Sequence, residues 1–163
     1  MALATLVYEN EVSDAEWETR CDLAALYRIF HNMRMTDLVY THLSARVPDE
    51  PNCFLMNQYG EMFDEVTASS LVKMNLDGEM VGRQGAFNSA GFTIHSACYL
   101  AREDVGAVIH LHTRASIAVA SVITKKESIR ASYLGSKGRL CTPKVRRSFD
   151  ISNKLKIFMF FSC

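Results

Sequence analysis

His110 and His112 bracket Leu111 at the close of an apolar run, Gly106-Ala107-Val108-Ile109. Side chains two apart on a strand share a face, so both imidazoles would project together from a rigid element, as a transition-metal site requires. Zinc needs at least a third protein ligand. Without one, the same pair reads as two half-buried histidines that hydrogen-bond their neighbours. The five cysteines, Cys21, Cys53, Cys98, Cys141 and Cys163, form no Cys-x-x-Cys pair and are odd in number, so reduced thiols are expected. Cys21 and Cys98 are expected on helix faces as small hydrophobes.

The elements that must position these groups are legible from local pattern. Ser13-Asp14-Ala15-Glu16 has capping-box spacing and opens a helix to about Met33, with Trp17, Cys21, Ala24, Tyr27 or Arg28, and His31 along one face. His31 would then end that helix, where the dipole favours a cation. Alternation in His42-Leu43-Ser44-Ala45-Arg46-Val47 predicts a strand, followed by a turn through Asp49-Glu50-Pro51-Asn52 and a second strand, Cys53-Phe54-Leu55-Met56. Leu71-Val72-Lys73-Met74-Asn75-Leu76, Asp77-Gly78 and Glu79-Met80-Val81 predict a hairpin with a type I′ turn. Residues 91–102 place Phe92, His95, Ser96 and Tyr99 at helical intervals, leading into the His-x-His strand, and a further helix is expected over 114–122. Hairpins mixed with helices indicate an α/β or α+β domain.

A chain of 163 residues, 48% hydrophobic and 22% charged, can build one domain with a real core. Its apolar runs are too short to span a membrane, and its first residues lack the basic region of a signal peptide, so a cytoplasmic location is expected. The net charge of zero hides a division. Residues 125–156 hold ten basic side chains against Glu127 and Asp150, a balance of +8, which leaves −8 for the rest. Residues 12–123 therefore read as the folded domain and 124–163 as a basic, divergent segment. The segment lacks the interleaved aromatics of a nucleic-acid module, so nucleic acid is not the expected partner. It reads as a solvated extension, and its apolar end, 154–161, has no evident partner pattern.

Several motifs occur in one order: Asp22-Leu23-Ala24-Ala25-Leu26-Tyr27-Arg28, Asp37-Leu38-Val39-Tyr40-Thr41-His42-Leu43-Ser44-Ala45-Arg46, Val66-Thr67-Ala68-Ser69-Ser70-Leu71-Val72-Lys73 and Ala90-Gly91-Phe92-Thr93-Ile94-His95-Ser96-Ala97. With residues 104–113 they make a chain that resembles the class II aldolase/adducin family over about 12–122, and most closely its adducin subfamily. The resemblance implies a three-layer α/β/α sandwich with a central, largely antiparallel sheet, here incomplete at the C-terminus, and assembly into homo-oligomers. In the sugar-phosphate aldolases of this family three histidines hold zinc and a glutamate moves a proton. The first two histidines correspond to His110 and His112.

The resemblance also shows departures. The glutamate position is Gly91, which has no side chain to move a proton. The third histidine belongs to a Tyr-His pair, and a loose alignment offers only Thr142-Pro143 there. Gly-Asn of the sugar-phosphate aldolases is replaced by Thr41-His42, and a Ser-Ser pair by Ser89-Ala90, which alters phosphate recognition. His42 then reads as a structural or pocket-lining residue and His95 as core packing. The expected function is an adducin-type protein that keeps the fold, lacks aldolase chemistry and acts by assembly or binding. The alternative is a metal-dependent lyase on a small carbonyl substrate, its site completed by Cys98, Glu103 or His95. Actin or another cytoskeletal partner enters only through the adducin resemblance. Loss of the family's own continuation, by truncation or a shifted frame, is a further reading of residues 125–163.

Overall fold

A computed structural model of the chain describes residues 12–115, 117, 149–150 and 156–161. Helix α1, Asp14–Asn32, starts where the Ser13 hydroxyl accepts from the Glu16 amide at 3.2 Å. The second half of the expected capping box does not form. Glu16 is buried, and its carboxylate pairs with Arg20 at 2.8 Å and with Lys73 at 2.8 Å. The Arg20 guanidinium also donates to the carbonyls of Ala68 and Leu71. A fully buried cation is tolerable only with its donors engaged in this way. The buried face of α1 is thus Glu16, Arg20, Leu23, Ala24 and Tyr27, one position round from the expected stripe, and Cys21 is exposed.

Among the described residues six strands follow: β1, His42–Val47; β2, Glu50–Met56; β3, Val72–Asn75; β4, Ala107–Leu111; β5, Phe149–Asp150; and β6, Lys156–Phe161. Helix α2, Ser89–Ala101, lies between β3 and β4 in sequence. The sheet order is β3-β2-β1-β4-β6-β5, antiparallel throughout except for β4 with β6. Strand alternation divides the apolar side chains between two cores. Leu43, Ala45 and Val47 of β1, with Ala107, Ile109 and Leu111 of β4, pack with Leu23, Ala24 and Tyr27 of α1. Phe54, Met56, Val72, Met74 and Val108 pack instead with Cys98 and Tyr99 of α2. Among the described residues, α1 on one face and α2 on the other of a largely antiparallel sheet make the expected three-layer α/β/α sandwich.

Local differences have local causes. Val47 pairs directly with Glu50, so only Pro48 and Asp49 turn the chain, Asp49 at a left-handed φ of 63°. That turn is shorter than the expected one, and β2 begins three residues early. The hairpin after β3 closes from the Asn75 amide to the Glu79 carbonyl, 2.9 Å. Among its turn residues only Gly78 has a positive φ, whereas a type I′ turn needs two. The Asn75 side chain takes the Asp77 and Glu79 amides instead. The C-terminal apolar run, expected to lack a partner, adds β6 beside β4, from Ala107 opposite Ile157 to Leu111 opposite Phe161. An uninterrupted apolar run suits such an interior, parallel-paired strand. Most of the helix expected over 114–122, and Thr142-Pro143, lie outside the described residues.

One hydroxyl joins α1 to β1, which carries His42, and to the end of β2. Tyr27 Oη accepts from the Leu43 amide at 2.9 Å and the Asn57 amide at 3.3 Å, and lies 2.8 Å from Asn57 Oδ1. Tyr27→Phe keeps the ring and removes this anchor, leaving a buried amide without its acceptor. Urea denaturation should then show a loss of about 1–3 kcal/mol; an unchanged midpoint would mean that the hydroxyl contributes no net stability.

Candidate metal centre

β4 ends at Leu111, so His110 stands on the strand and His112 just beyond it. Their Nε2 atoms are 3.1 Å apart. Two tetrahedral ligands at zinc–nitrogen distance would stand about 3.3 Å apart, so the pair is close to ligating separation. His112 Nδ1 lies 2.8 Å from Asp37 Oδ2. With its proton on Nδ1, donated to the carboxylate, His112 turns the Nε2 lone pair toward His110. In the metal-free form His110 Nε2–H then donates to His112, and a metal ion would displace that proton. The donor chemistry fits two ligands of a zinc site, with a carboxylate holding one of them.

A second set of histidines lies against the first. The β1–β4 register sets His42 opposite His110, and their rings stack with centroids 4.6 Å apart and planes 17° apart. His42 Nδ1 is 2.8 Å from His95 Nε2, His95 Nδ1 is 2.5 Å from Ser44 Oγ, and Ser44 Oγ is 2.8 Å from Tyr99 Oη. Burial, then the nearby His110 and His112, pushes the His42 pKa down to about 3. Burial and His112 push His110 down to about 4, and burial drives His95 well below the usual histidine range. All three rings are neutral at pH 7.

Gly91, at the aldolase glutamate position, faces this set. A Cβ there would stand 3.1 Å from His42 Cδ2 and Nε2 and 3.2 Å from the Met56 methyl. A side chain there would therefore press on the His42 ring, which would have to give by a few tenths of an ångström. At the start of α2, the Ala90 and Gly91 amides donate to the Asn88 side chain, which engages donors an anion would otherwise use.

The structure brings together His110 and His112, as expected, and places His42 and His95 beside them. His95 does more than pack: both ring nitrogens are hydrogen-bonded within the fold. Cys98 lies in the α2 core with its thiol pushed up to about 11 by burial, and Glu103 is exposed. Among the described residues no cluster of three or more His, Cys, Asp or Glu side chains is placed to hold a metal ion. His31 is exposed beside Asp64, at 3.4 Å. Asp37, Ser44 and Tyr99 were not singled out by sequence. Asp37 is 75 residues from His112, and no spacing rule links them.

Comparison with known proteins decides the family. The model of the class II aldolase and adducin N-terminal domain matches residues 21–146. The chain belongs to that family. A Caulobacter vibrioides protein whose name places it in aldolase class 2 is 48% identical over 121 residues, covering 74% of this chain and 47% of that protein. Alpha-adducin of Rattus norvegicus is 45% identical over 106 residues, 63% of this chain and 14% of its own length. Among solved structures, an aldolase II superfamily protein from Pseudomonas syringae is 50% identical with a TM-score of 0.65, covering 69% of this chain and 46% of that one. L-fuculose 1-phosphate aldolase from Glaciozyma antarctica is 34% identical with a TM-score of 0.61, covering 67% and 45%. The chain spans about half the length of the bacterial relative it matches.

The neutral histidines make stability depend on pH. Their folded pKa values lie below the unfolded value near 6.5, so the unfolded chain binds more protons in between, and stability falls as pH drops. Each contributes about 1.4 kcal/mol per pH unit in that window. With a chelator present, the thermal midpoint should fall steeply from pH 7 to pH 5, with uptake of about three protons on unfolding. A midpoint constant over that range would contradict the neutral buried assignment.

Proposed function

We propose that this chain is an adducin-type member of the family that retains a metal-ligating pair, does not cleave aldols, and acts by binding and assembly. The observation that carries this is Gly91 against the His42 ring: the position supplies no proton-transferring carboxylate, and a Cβ there would crowd His42 and the Met56 methyl. His42 does not substitute for it, because a base with a pKa of about 3 has little proton affinity at neutral pH. His110 and His112 would hold Zn2+, with Asp37 orienting His112, and the bound ion would supply Lewis-acid polarisation of a carbonyl. A homo-oligomer, a small carbonyl ligand and a cytoplasmic location belong to this reading, and an actin-type partner follows only from the likeness to alpha-adducin. The division into a domain over 12–123 and a basic segment over 124–163 belongs to this reading as a division of charge, with β6 of the segment paired to β4. Among the described residues no helix is long and apolar enough to cross a membrane.

One observation favours a second reading, a metal-dependent lyase. The 3.1 Å Nε2 separation and the Asp37 brace on His112 are what a working centre would need, and a third ligand from outside the described residues would complete it. Equilibrium dialysis with Zn2+ and an aldol-cleavage assay on L-fuculose 1-phosphate separate the two. The expected result is Zn2+ held only weakly, as two protein ligands allow, with binding lost in His112→Ala and weakened about 10–100-fold in Asp37→Asn, and with no product formed. Zinc-dependent product formation that disappears in His110→Ala would overturn the binding reading in favour of the lyase.

A further inference from the structure

Thr41 stands where the sugar-phosphate aldolases carry the glycine of Gly-Asn. It is 1% exposed and directly precedes β1. The last rung of the β1–β4 ladder pairs His42 with His110, so residues 37–41 and His112 both lie just beyond it. In that loop Thr41 Oγ1 accepts from the Asp37 amide at 3.1 Å, and the Tyr40 amide donates to the Asp37 carbonyl at 2.9 Å. Asn88, whose Oδ1 takes the first α2 amides, donates from Nδ2 to the Val39 carbonyl at 3.1 Å.

Leu38, between these bonds, has a left-handed φ of 46°, a backbone conformation unfavourable for an L side chain. Its side chain is 61% exposed, so packing does not impose that conformation. The hydrogen bonds on either side of it must do so. Their effect is to hold Asp37, itself half exposed, with Oδ2 2.8 Å from His112 Nδ1. A glycine at position 41 has no hydroxyl and could not take the Asp37 amide.

We infer that Thr41 is a positioning residue for the histidine pair: its hydroxyl pins the Asp37 backbone, Asp37 then holds His112 with its proton on Nδ1, and the His112 Nε2 lone pair is left for a cation. This role rests on the metal-holding reading of the pair and adds the residue that keeps its brace in place. Thr41 acts through Asp37 and touches no ion itself. Because Asp37 is exposed, water replaces the hydroxyl as acceptor for its amide when Thr41 is changed, and what is lost is the preference for one loop conformation.

Two measurements on the full chain test the role. In chelator at pH 8, long-range 1H–15N correlation spectra read the His112 tautomer without any metal, with His112→Gln assigning the signals. The expected result is mainly Nδ1–H in the wild type and in Thr41→Ser, with a shift toward Nε2–H in Thr41→Val and Thr41→Ala, as in Asp37→Ala. Calorimetric titration with Zn2+ should show binding about fivefold weaker in Thr41→Val, the worth of one hydrogen bond, and restored in Thr41→Ser. Adding Thr41→Val to Asp37→Ala should cost no further affinity, since the hydroxyl acts only through that carboxylate. A His112 tautomer unmoved in both Thr41→Val and Thr41→Ala overturns the inference, as does an additive loss of affinity in the double variant. A wild-type His112 that is mainly Nε2–H overturns it too, whether or not the Thr41 variants fold. The spectra need no metal, so failure of the positioning role is distinguishable from failure of zinc binding.

Discussion

The antiparallel register of β1 on β4 is the constraint on which the site depends. His42 faces His110 and Ala45 faces Ala107 across that ladder. Because a strand alternates, this register sends Leu43, Ala45 and Val47 to the α1 core and leaves His42, Ser44 and Arg46 on the α2 side. A slip of one residue would exchange the two sets, burying imidazoles among aliphatic side chains and turning Leu43 toward His95. The hydrophobic pattern of the α1 face therefore also aligns the polar stripe under α2. Tyr27 secures the start of that strand by accepting its Leu43 amide.

The two faces handle polarity differently. Beneath α1, the charges of Glu16, Arg20 and Lys73 are kept and matched to one another. Beneath α2, the histidines are kept neutral by burial and mutual proximity, and hydrogen bonds replace countercharges. Arg46 marks the boundary, with its guanidinium 4.5 Å above the Tyr99 ring and its Nε donating to the Val105 carbonyl. A neutral chain of donors and acceptors orients His42 without giving it a usable base, while the Asp37 carboxylate makes His112 a better ligand. Beneath α2 the fold thus sets two imidazoles at ligating separation, with a glycine where the family's aldolases have a carboxylate.

Much of this was legible in the sequence because it rests on short-range pattern. The Ser13 cap, the β1 alternation ending at Pro48, and the pairing of His110 with His112 are consequences of neighbours in the chain. The departures from family pattern at Gly91 and Thr41-His42 were equally visible. What escaped depends on contacts far apart in sequence. Glu16 had capping-box spacing, yet Lys73, 57 residues away, claimed its carboxylate. His42 and His95 looked like isolated residues until the β1–β4 register and the packing of α2 made them neighbours. The β6 run showed no partner because parallel pairing leaves no hairpin signal.

X-ray absorption at the zinc edge on the zinc-loaded full chain counts the imidazoles that hold the ion, and so tests most directly whether the centre is a braced pair lacking a third histidine. The account predicts two histidine nitrogens, with oxygen ligands completing the shell. Three imidazoles around the ion would contradict it.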